Sequence, residues 1–274
     1  MQALSPMMQQ YMNIKEQYTD CILFFRLGDF YEMFFEDALL ASRELEITLT
    51  GRDCAQEERA PMCGVPFHSA EGYIAKLVSK GYKVAICEQI DDPQASMGIV
   101  KRDVVRIITP GTLTEQNLLD EKKNNYLCCV CASDSGIGLA FCDISTGELF
   151  ATQLGARDIA LAINQIAGYA PREIVFNNRA QELLYGIVCE KINTYVGGLP
   201  EAEFEFALSI KRIADQFNKG EAIDNGYTDK KEAACAVGAI LSYLLKTQKT
   251  ELSNMLKLVN YETREYMDID YNER

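Results

Sequence analysis

The first hundred residues alternate between helical and extended spacings of apolar side chains. Apolar positions recur with helical spacing over residues 6–18 and 32–45, which predicts two helices. Between them, the continuous apolar run at residues 21–27 predicts a strand. This order of helix, strand and helix indicates an α/β domain rather than an all-helical one.

This alternation continues to about residue 110. Ser69 is a residue type that caps helices, and the apolar face that follows it predicts a helix ending near Gly81. Strands are expected at residues 82–87 and 103–109, and Pro110-Gly111 should stop the second of them. These elements predict one compact α/β domain that ends near residue 115.

The rest of the chain starts with a polar linker and a predicted three-strand meander. The linker covers residues 116–125, the strands cover 126–132, 137–142 and 148–153, and turns fall at 134–136 and 145–147. Helical and strand signals then alternate at 156–168, 173–176 and 187–194, before two closing helices near 204–217 and 231–248. Three antiparallel strands followed by α/β units are typical of an RNase H-like fold.

Composition narrows the class of protein. The 274 residues are 48% hydrophobic and 24% charged, which is ordinary for one large or two average globular domains. We expect a cytoplasmic protein, since neither a signal peptide nor a membrane-spanning run is visible. Among ten cysteines, Cys128 and Cys131 have C-x-x-C spacing but no second pair nearby. We interpret them as buried strand thiols, with a metal or redox site as the alternative.

Several short motifs occur in a fixed order and carry a family resemblance. The most informative is the heptad Gly-Asp-Phe-Tyr-Glu-Met-Phe at residues 28–34. The others are PMMQQY at 6–11, PMCGVP at 61–66, AICEQ at 85–89, VVRIITPGT at 104–112 and DISTG at 143–147. This ordered set resembles the N-terminal part of the MutS family of DNA mismatch-recognition proteins, over nearly the whole chain.

The resemblance implies a fold and a domain order. It implies a mixed-sheet α/β mismatch-recognition domain over residues 1–115, followed by the linker 116–125. An RNase H-like α/β connector domain would occupy residues 126–265, and residues 266–274 would begin the lever region.

The same resemblance assigns the central chemistry to Phe30 and Glu32. The phenyl ring of Phe30 would wedge into the duplex at a mispair, and Glu32 would hydrogen-bond the mispaired base. Residue types alone favour a plainer alternative. In that alternative Phe30 and Phe34 belong to the core at the start of a helix, and Glu32 is a solvated acid of its first turn.

Two further groups are candidates for contacts with the DNA backbone. The resemblance implies that the loop before the helix capped by Ser69 lies near the DNA backbone, and a helix N-terminus with free amides suits a phosphate. The candidates of this first group are Met62, Gly64, His68 and Ser69. The second is the basic cluster Lys101, Arg102 and Arg106. His68 could instead be a loop histidine without a role, and Arg106 could pair with an internal acid.

The net charge and the missing nucleotide-binding motif indicate which tasks this stretch of sequence would not perform by itself. The net charge of −13 opposes DNA binding by this stretch alone, because phosphate neutralisation supplies most of the affinity. No phosphate-binding G-x-x-x-x-G-K-[ST] motif occurs, so we expect no cofactor and no enzymatic activity in these residues. The resemblance implies a C-terminal ATPase domain that uses ATP and Mg²⁺, a homodimer that closes around mismatched double-stranded DNA, and a MutL-type partner on the connector domain. It does not imply binding to a membrane.

Other classes of function have weaker support. A small-molecule-binding or redox α/β enzyme is one alternative, but the sequence contains neither a G-x-G-x-x-G motif nor a nucleophile elbow. A nuclease would need a third carboxylate beside Asp143 and Glu148. The remaining alternative is an interaction scaffold, in a MutS relative without repair function.

Overall fold

A computed structural model describes residues 4–55, 59–90, 100–113, 124–217, 227, 229–255 and 257–263. The chain divides into two compact units. Unit 1 comprises Met1–Pro110 and Thr247–Lys249, and unit 2 comprises Gly111–Lys246 and Thr250–Arg274. Within the described residues, each unit is built on its own six-stranded sheet.

Unit 1 is a mixed sheet with helices on both faces. Its helices are α1 Pro6–Lys15, α2 Phe35–Leu45 and α3 Ala70–Ser79, the last preceded by a 3₁₀ turn at Phe67–Ser69. Its strands are β1 Cys21–Leu27, β2 Phe30–Phe34, β3 Thr50–Arg52, β4 Ala60–Pro66, β5 Lys83–Gln89 and β6 Arg102–Ile108. They lie in the order β3-β4-β2-β1-β5-β6, and only the pairing of β1 with β5 is parallel among these described strands.

Alternation along the strands divides the unit 1 core into two layers. Leu23, Phe25 and Phe34 face α1, where they pack with Met8 and Tyr11. The intervening side chains face the other side of the sheet, against which α2 and α3 pack. The sheet therefore has a fixed register, because a slip by one residue would exchange its two apolar faces.

The structure corrects the sequence-based prediction around the central heptad. Residues 32–34 were expected in a helix, but they belong to β2, and the helix begins only at Phe35. The short spacing of apolar residues here fits either period, and pairing of β2 with both β1 and β4 selects the strand. Strands β3 and β4 were not predicted either.

The predicted third helix has the expected position and start, but the side chain of Ser69 does not cap it. α3 begins directly after Ser69, and Gly81, with φ of 88°, follows its end. The Ser69 side chain makes no capping hydrogen bond; its hydroxyl donates to the Pro66 carbonyl at 3.3 Å.

Unit 2 begins with the predicted meander. Its strands are β7 Tyr126–Ala132, β8 Gly136–Asp143, β9 Glu148–Gly155, β10 Glu173–Phe176, β11 Tyr195–Gly198 and β12 Lys257–Asn260. Its helices are α4 Ile159–Tyr169, α5 Asn178–Lys191, α6 Phe206–Phe217 and α7 Lys231–Gln248, with a 3₁₀ turn at Glu201–Phe204. β7, β8 and β9 pair antiparallel, while β10, β11 and β12 join by parallel pairings in the order β11-β10-β7-β8-β9-β12.

Helices cover both faces of the unit 2 sheet. One face packs against α7, with Leu127, Cys129 and Ile240 in the same apolar cluster. The other face packs against α4 and α5. Residues 187–194, expected as one segment, instead cover the end of α5 and the approach to β11, and β12 was not predicted.

Three sequence-based expectations can be placed directly. Cys128, Cys129 and Cys131 are buried in β7, which confirms their interpretation as strand thiols. Residues 116–123 of the expected linker and residues 266–274 of the expected lever lie outside the described residues. No helix within the described ranges is long and apolar enough to cross a bilayer.

Candidate nucleic-acid interface

A tight hairpin between β1 and β2 places Phe30 at one end of the unit 1 sheet. Leu27 and Phe30 form the last pair of the ladder, so Gly28 and Asp29 alone make the turn. Gly28 has φ of 57°, in the left-handed region where a residue without Cβ is favoured. The Gly-Asp-Phe sequence thus fixes Phe30 as the first residue of β2.

The phenyl ring of Phe30 is exposed, unlike most of its strand. Phe30 is 46% exposed, whereas Tyr31, Met33 and Phe34 are buried. The plainer interpretation of Phe30 as a core residue is therefore wrong, although it holds for Phe34.

Hydrogen bonds from neighbouring residues hold both carbonyls of the hairpin turn. The Phe67 backbone N–H donates to Asp29 O at 2.9 Å, and Arg26 Nε donates to Gly28 O at 2.6 Å. The Arg26 guanidinium also stacks on the Phe67 ring, 3.6 Å from its centroid, in a cation–π contact. This bracing restricts the direction in which Phe30 leaves the sheet.

Arg26 is held in turn by an acid on β5. Its guanidinium lies 3.6 Å from the Glu88 carboxylate, and the Tyr31 hydroxyl donates a hydrogen bond to the same carboxylate. Burial, and then this hydrogen bond, raise the pKa of Tyr31 above its ordinary value, so its hydroxyl stays protonated and acts as the donor. The turn that carries Phe30 is thereby linked through Arg26 to β5.

Glu32 lies on the same face of β2 as Phe30, but in a more enclosed position. Its side chain is 16% exposed, and its carboxylate accepts a hydrogen bond within an ion pair with Arg52 on β3. The interpretation of Glu32 as a solvated acid of a first helical turn is therefore wrong. Sequence reasoning did not identify Arg52, because a three-residue strand gives almost no periodic signal.

Gly64 on β4 lies directly opposite Glu32. A Cβ at position 64 would lie 3.4 Å from Glu32 Cγ and 3.2 Å from the Tyr31 carbonyl oxygen. The absence of a side chain at Gly64 therefore leaves room for the Glu32 side chain to lie across the sheet. Gly64 was expected near the DNA backbone, and that contact stays a prediction.

The other candidates near the hairpin differ in accessibility. Met62 is partly buried against the α1 side of the core. His68 and Ser69 are exposed in the 3₁₀ turn, and the His68 ring meets the Phe67 ring edge-on at 5.9 Å. Phe67 itself is 40% exposed and was not singled out from the sequence. Contacts of Met62, His68 and Ser69 with DNA stay predictions.

The basic cluster is divided between surface and core. Lys101 is exposed and Arg106 is half-buried, whereas Arg102 is buried. The Arg102 guanidinium donates to Arg26 O at 2.7 Å and to Gln10 Oε1 at 3.0 Å. Burial lowers the pKa of Arg102, although a guanidinium remains charged. These bonds give Arg102 a structural task in linking α1, β1 and β6, and phosphate contacts by the three residues stay predictions.

Asp143, one of the two carboxylates considered for nuclease chemistry, has structural partners in unit 2. Asp143 is buried, and its carboxylate accepts from Asn125 N–H at 3.1 Å and from the Ser145 hydroxyl at 2.6 Å. Within the part of the chain that the structure describes, no group of three or more His, Cys, Asp or Glu side chains could hold a metal ion. Asp143 thus stabilises the turn between β8 and β9.

Comparison with known families decides the relationship. Residues 5–117 match the family model for MutS domain I, and residues 125–256 match the model for MutS domain II. This chain belongs to the MutS family. The two mixed α/β sheets fit the mismatch-recognition and connector domains of that family, which confirms the predicted fold class.

Close relatives carry the same family name over the whole chain. The chain is 53% identical to the DNA mismatch repair protein MutS of Ruminiclostridium cellulolyticum, with 100% of this chain and 31% of the relative covered. It is 51% identical to the DNA mismatch repair protein MutS of Acetivibrio thermocellus, with 98% and 31% covered. The chain therefore spans about a third of the length of these MutS relatives.

Proposed function

We propose that this chain recognises mispaired bases in double-stranded DNA as the mismatch-recognition and connector part of a DNA mismatch repair protein. The observation that carries the proposal is the exposure of Phe30 on a braced turn, two residues before Glu32 on the same strand face. The MutS relatives, which are DNA mismatch repair proteins by name, support the same assignment.

An exposed phenyl ring can detect a mispair by testing how easily the duplex deforms. The ring stacks on a base in place of its neighbour, and this insertion kinks the duplex. Such bending costs on the order of 1–6 kcal/mol in matched DNA. Unstacking and unpairing cost least where pairing is already faulty. Phe30 therefore discriminates by deformability, at any base sequence.

The carboxylate of Glu32 adds a chemical test. The phosphates repel this carboxylate, so its approach to DNA is unfavourable unless a base offers it a hydrogen-bond donor. Faulty pairing exposes such a donor, whereas matched pairing occupies it. Glu32 thus penalises matched DNA and favours the mispair.

The remaining parts of the proposal concern the protein beyond this chain. A net charge of −13 requires further domains, and a second subunit in a homodimer, to hold the duplex. We propose that unit 2 relays recognition to an ATPase domain that uses ATP and Mg²⁺, and that it offers a surface to a MutL-type partner. In this proposal neither unit is itself an enzyme, and the protein acts in the cytoplasm.

A titration of G·T-mismatched and matched duplexes tests the proposal. The protein encoded by the gene should prefer the mismatch, and Phe30→Ala should remove most of that preference. Tyr185→Ala is the matched control, because Tyr185 is also 46% exposed but lies on α5 of unit 2. Equal binding of both duplexes by the wild type would contradict the proposal and favour an interaction scaffold without repair function.

A further inference from the structure

We infer that Arg52 is a positioning residue for mismatch discrimination, which acts by holding the Glu32 carboxylate across the face of the sheet. This inference rests on the proposed function of Glu32. Among the residues that the structure describes, the hydrogen bond to the Glu32 carboxylate comes from Arg52 Nη1.

The register of three strands explains how two residues so far apart in sequence meet. Phe34 on β2 and Thr50 on β3 both pair with Met62 on β4. Because side chains alternate along each strand, Glu32 and Arg52 then face the same side of the sheet. Arg52 must cross β4 to reach Glu32, and the partners of the two residues on β4 are the small residues Ala60 and Gly64.

The exposure of the two side chains fits an ion pair that orients the Glu32 carboxylate better than it fits a solvated surface pair. The Glu32 side chain is 16% exposed, whereas that of Arg52 is 39% exposed. The acid is thus enclosed and the cation reaches the surface. A guanidinium has five N–H donors, so one hydrogen bond to Glu32 leaves others for further acceptors.

This arrangement gives Arg52 two effects on Glu32. First, it restricts a flexible carboxylate to one orientation before DNA arrives, which reduces the ordering cost of binding a base. Second, its positive charge offsets the repulsion between Glu32 and the phosphates. Both effects act through Glu32, so the contribution of Arg52 to discrimination should disappear when Glu32 is absent.

A double-mutant cycle on the protein encoded by the gene tests this coupling. G·T-mismatched and matched duplexes are titrated with wild type, Arg52→Met, Glu32→Ala and the double variant at several salt concentrations. Arg52→Met should lower the mismatch-to-match affinity ratio roughly three- to tenfold, and adding it to Glu32→Ala should lower the ratio no further. Arg52→Lys, which keeps the charge and a donor, should restore part of the ratio.

The control is Arg43→Met, which removes the same charge from an exposed arginine of α2 that pairs with Glu44 at 3.1 Å. It should leave the ratio unchanged. Thermal unfolding shows whether each variant is folded, and Arg52→Lys remains informative if Arg52→Met is not.

Two results overturn the inference in different ways. If Phe30-dependent mismatch preference persists while Arg52→Met weakens both duplexes equally and reduces the salt slope by about one, Arg52 is only a phosphate contact and the proposed function stands. If the wild type shows no mismatch preference, the inference and the proposed function both fail.

Discussion

Phe30 and Glu32 occupy alternate positions of one strand, yet their surroundings differ as their proposed tasks require. Phe30 has its ring in solvent at the end of the ladder, where a base could stack on it. Glu32 is enclosed and paired with Arg52, so its carboxylate is oriented. The apolar ring of Phe30 and the carboxylate of Glu32 thus lie on one face of the sheet.

Replacement of Glu32 should change discrimination more than it changes affinity. We expect Glu32→Ala to narrow the mismatch-to-match ratio, in part by tightening binding to matched DNA, because a carboxylate repelled by phosphates is removed. Parallel titrations of mismatched and matched duplexes measure this. Glu36→Ala, which removes an exposed acid at the start of α2, is the control and should have little effect. An unchanged ratio in Glu32→Ala would refute the assigned role of Glu32.

At the residue scale, the sequence identified the central pair but not its support. The heptad contains Phe30 and Glu32 two positions apart, so a short sequence motif could reveal both residues. Arg52 and Phe67 reach the site only through strand pairing and a cation–π contact, respectively. Contacts of this kind depend on which strands pair, and a three-residue strand gives too little pattern to reveal its partner from a single sequence.

At the scale of elements, the hairpin between β1 and β2 depends on the conformation of Gly28. A Cβ at Gly28 would meet no atom within 4 Å, so a substitution there changes conformational energy without a steric clash. Gly72 in α3 has the same empty surroundings but ordinary helical geometry. The two glycines form a natural comparison.

Alanine substitutions at these glycines should have opposite effects on stability. Gly28→Ala should destabilise unit 1 by about 1 kcal/mol, because its φ of 57° is strained for an L-residue. Gly72→Ala should stabilise it by about 0.5–1 kcal/mol, since alanine favours the helix. Urea unfolding measures both. Equal effects of the two substitutions would show that the turn does not need glycine.

In unit 2, Glu203 in the 3₁₀ turn before α6 links that turn to α6 and α7. Burial alone would raise its pKa, but hydrogen bonds from Lys246 and Ser242 and the charge of Arg212 outweigh burial and lower the pKa to about 2. The ion pair with Arg212 is 2.7 Å long. Because this pKa is lower in the folded state, Glu203 stabilises unit 2 above its ordinary pKa of 4.5, and that contribution is lost as pH falls towards 2.

Glu203→Gln should therefore make unit 2 less sensitive to acid. Relative to wild type, the variant should be less stable at neutral pH and should lose less stability between pH 4.5 and about 2. Chemical unfolding at a series of pH values measures the difference. Parallel stability curves for the two proteins would show that the Glu203 ion pairs do not contribute.

Among elements, several with long periodic patterns were predicted, and so was the four-residue β10 at 173–176, whereas β4, α5 and several short strands were not. The meander β7 to β9 and helices α6 and α7 follow the expected ranges closely, because each repeats its pattern over several residues. β2, β3 and β12 are three to five residues long, and pairing with neighbours rather than local pattern defines them. The misassigned β2 also carries the candidate site.

At the scale of the whole molecule, the net charge indicates that mismatch recognition and binding of the DNA backbone reside in different parts of the protein. The chain has a net charge of −13, and nucleic-acid affinity depends mainly on cationic contacts with phosphates. The chain spans about a third of the length of its MutS relatives. We therefore assign the proposed contacts with the DNA phosphates to the rest of the protein. The assignment of recognition to residues 1–115 and of the connector to 126–265 stays a proposal of the same kind.

This chain expressed alone should therefore bind DNA poorly. We expect a dissociation constant of about 10⁻⁵ M or weaker for either duplex at physiological salt, in the range of non-specific binding. Fluorescence anisotropy with labelled duplexes measures this, with the protein encoded by the gene as the comparison. Nanomolar binding by the chain alone would contradict the argument from charge.

The most direct test of the central claim is whether the Phe30 ring enters the duplex at a mispair. A fluorescent adenine analogue next to a G·T mispair reports local stacking when the protein encoded by the gene is added. Wild type and Tyr185→Ala should produce the same change in emission, and Phe30→Ala, at saturating concentration, should produce little or none. An equal change with Phe30→Ala would mean that another residue deforms the duplex, and the assignment of Phe30 as the wedge would be wrong.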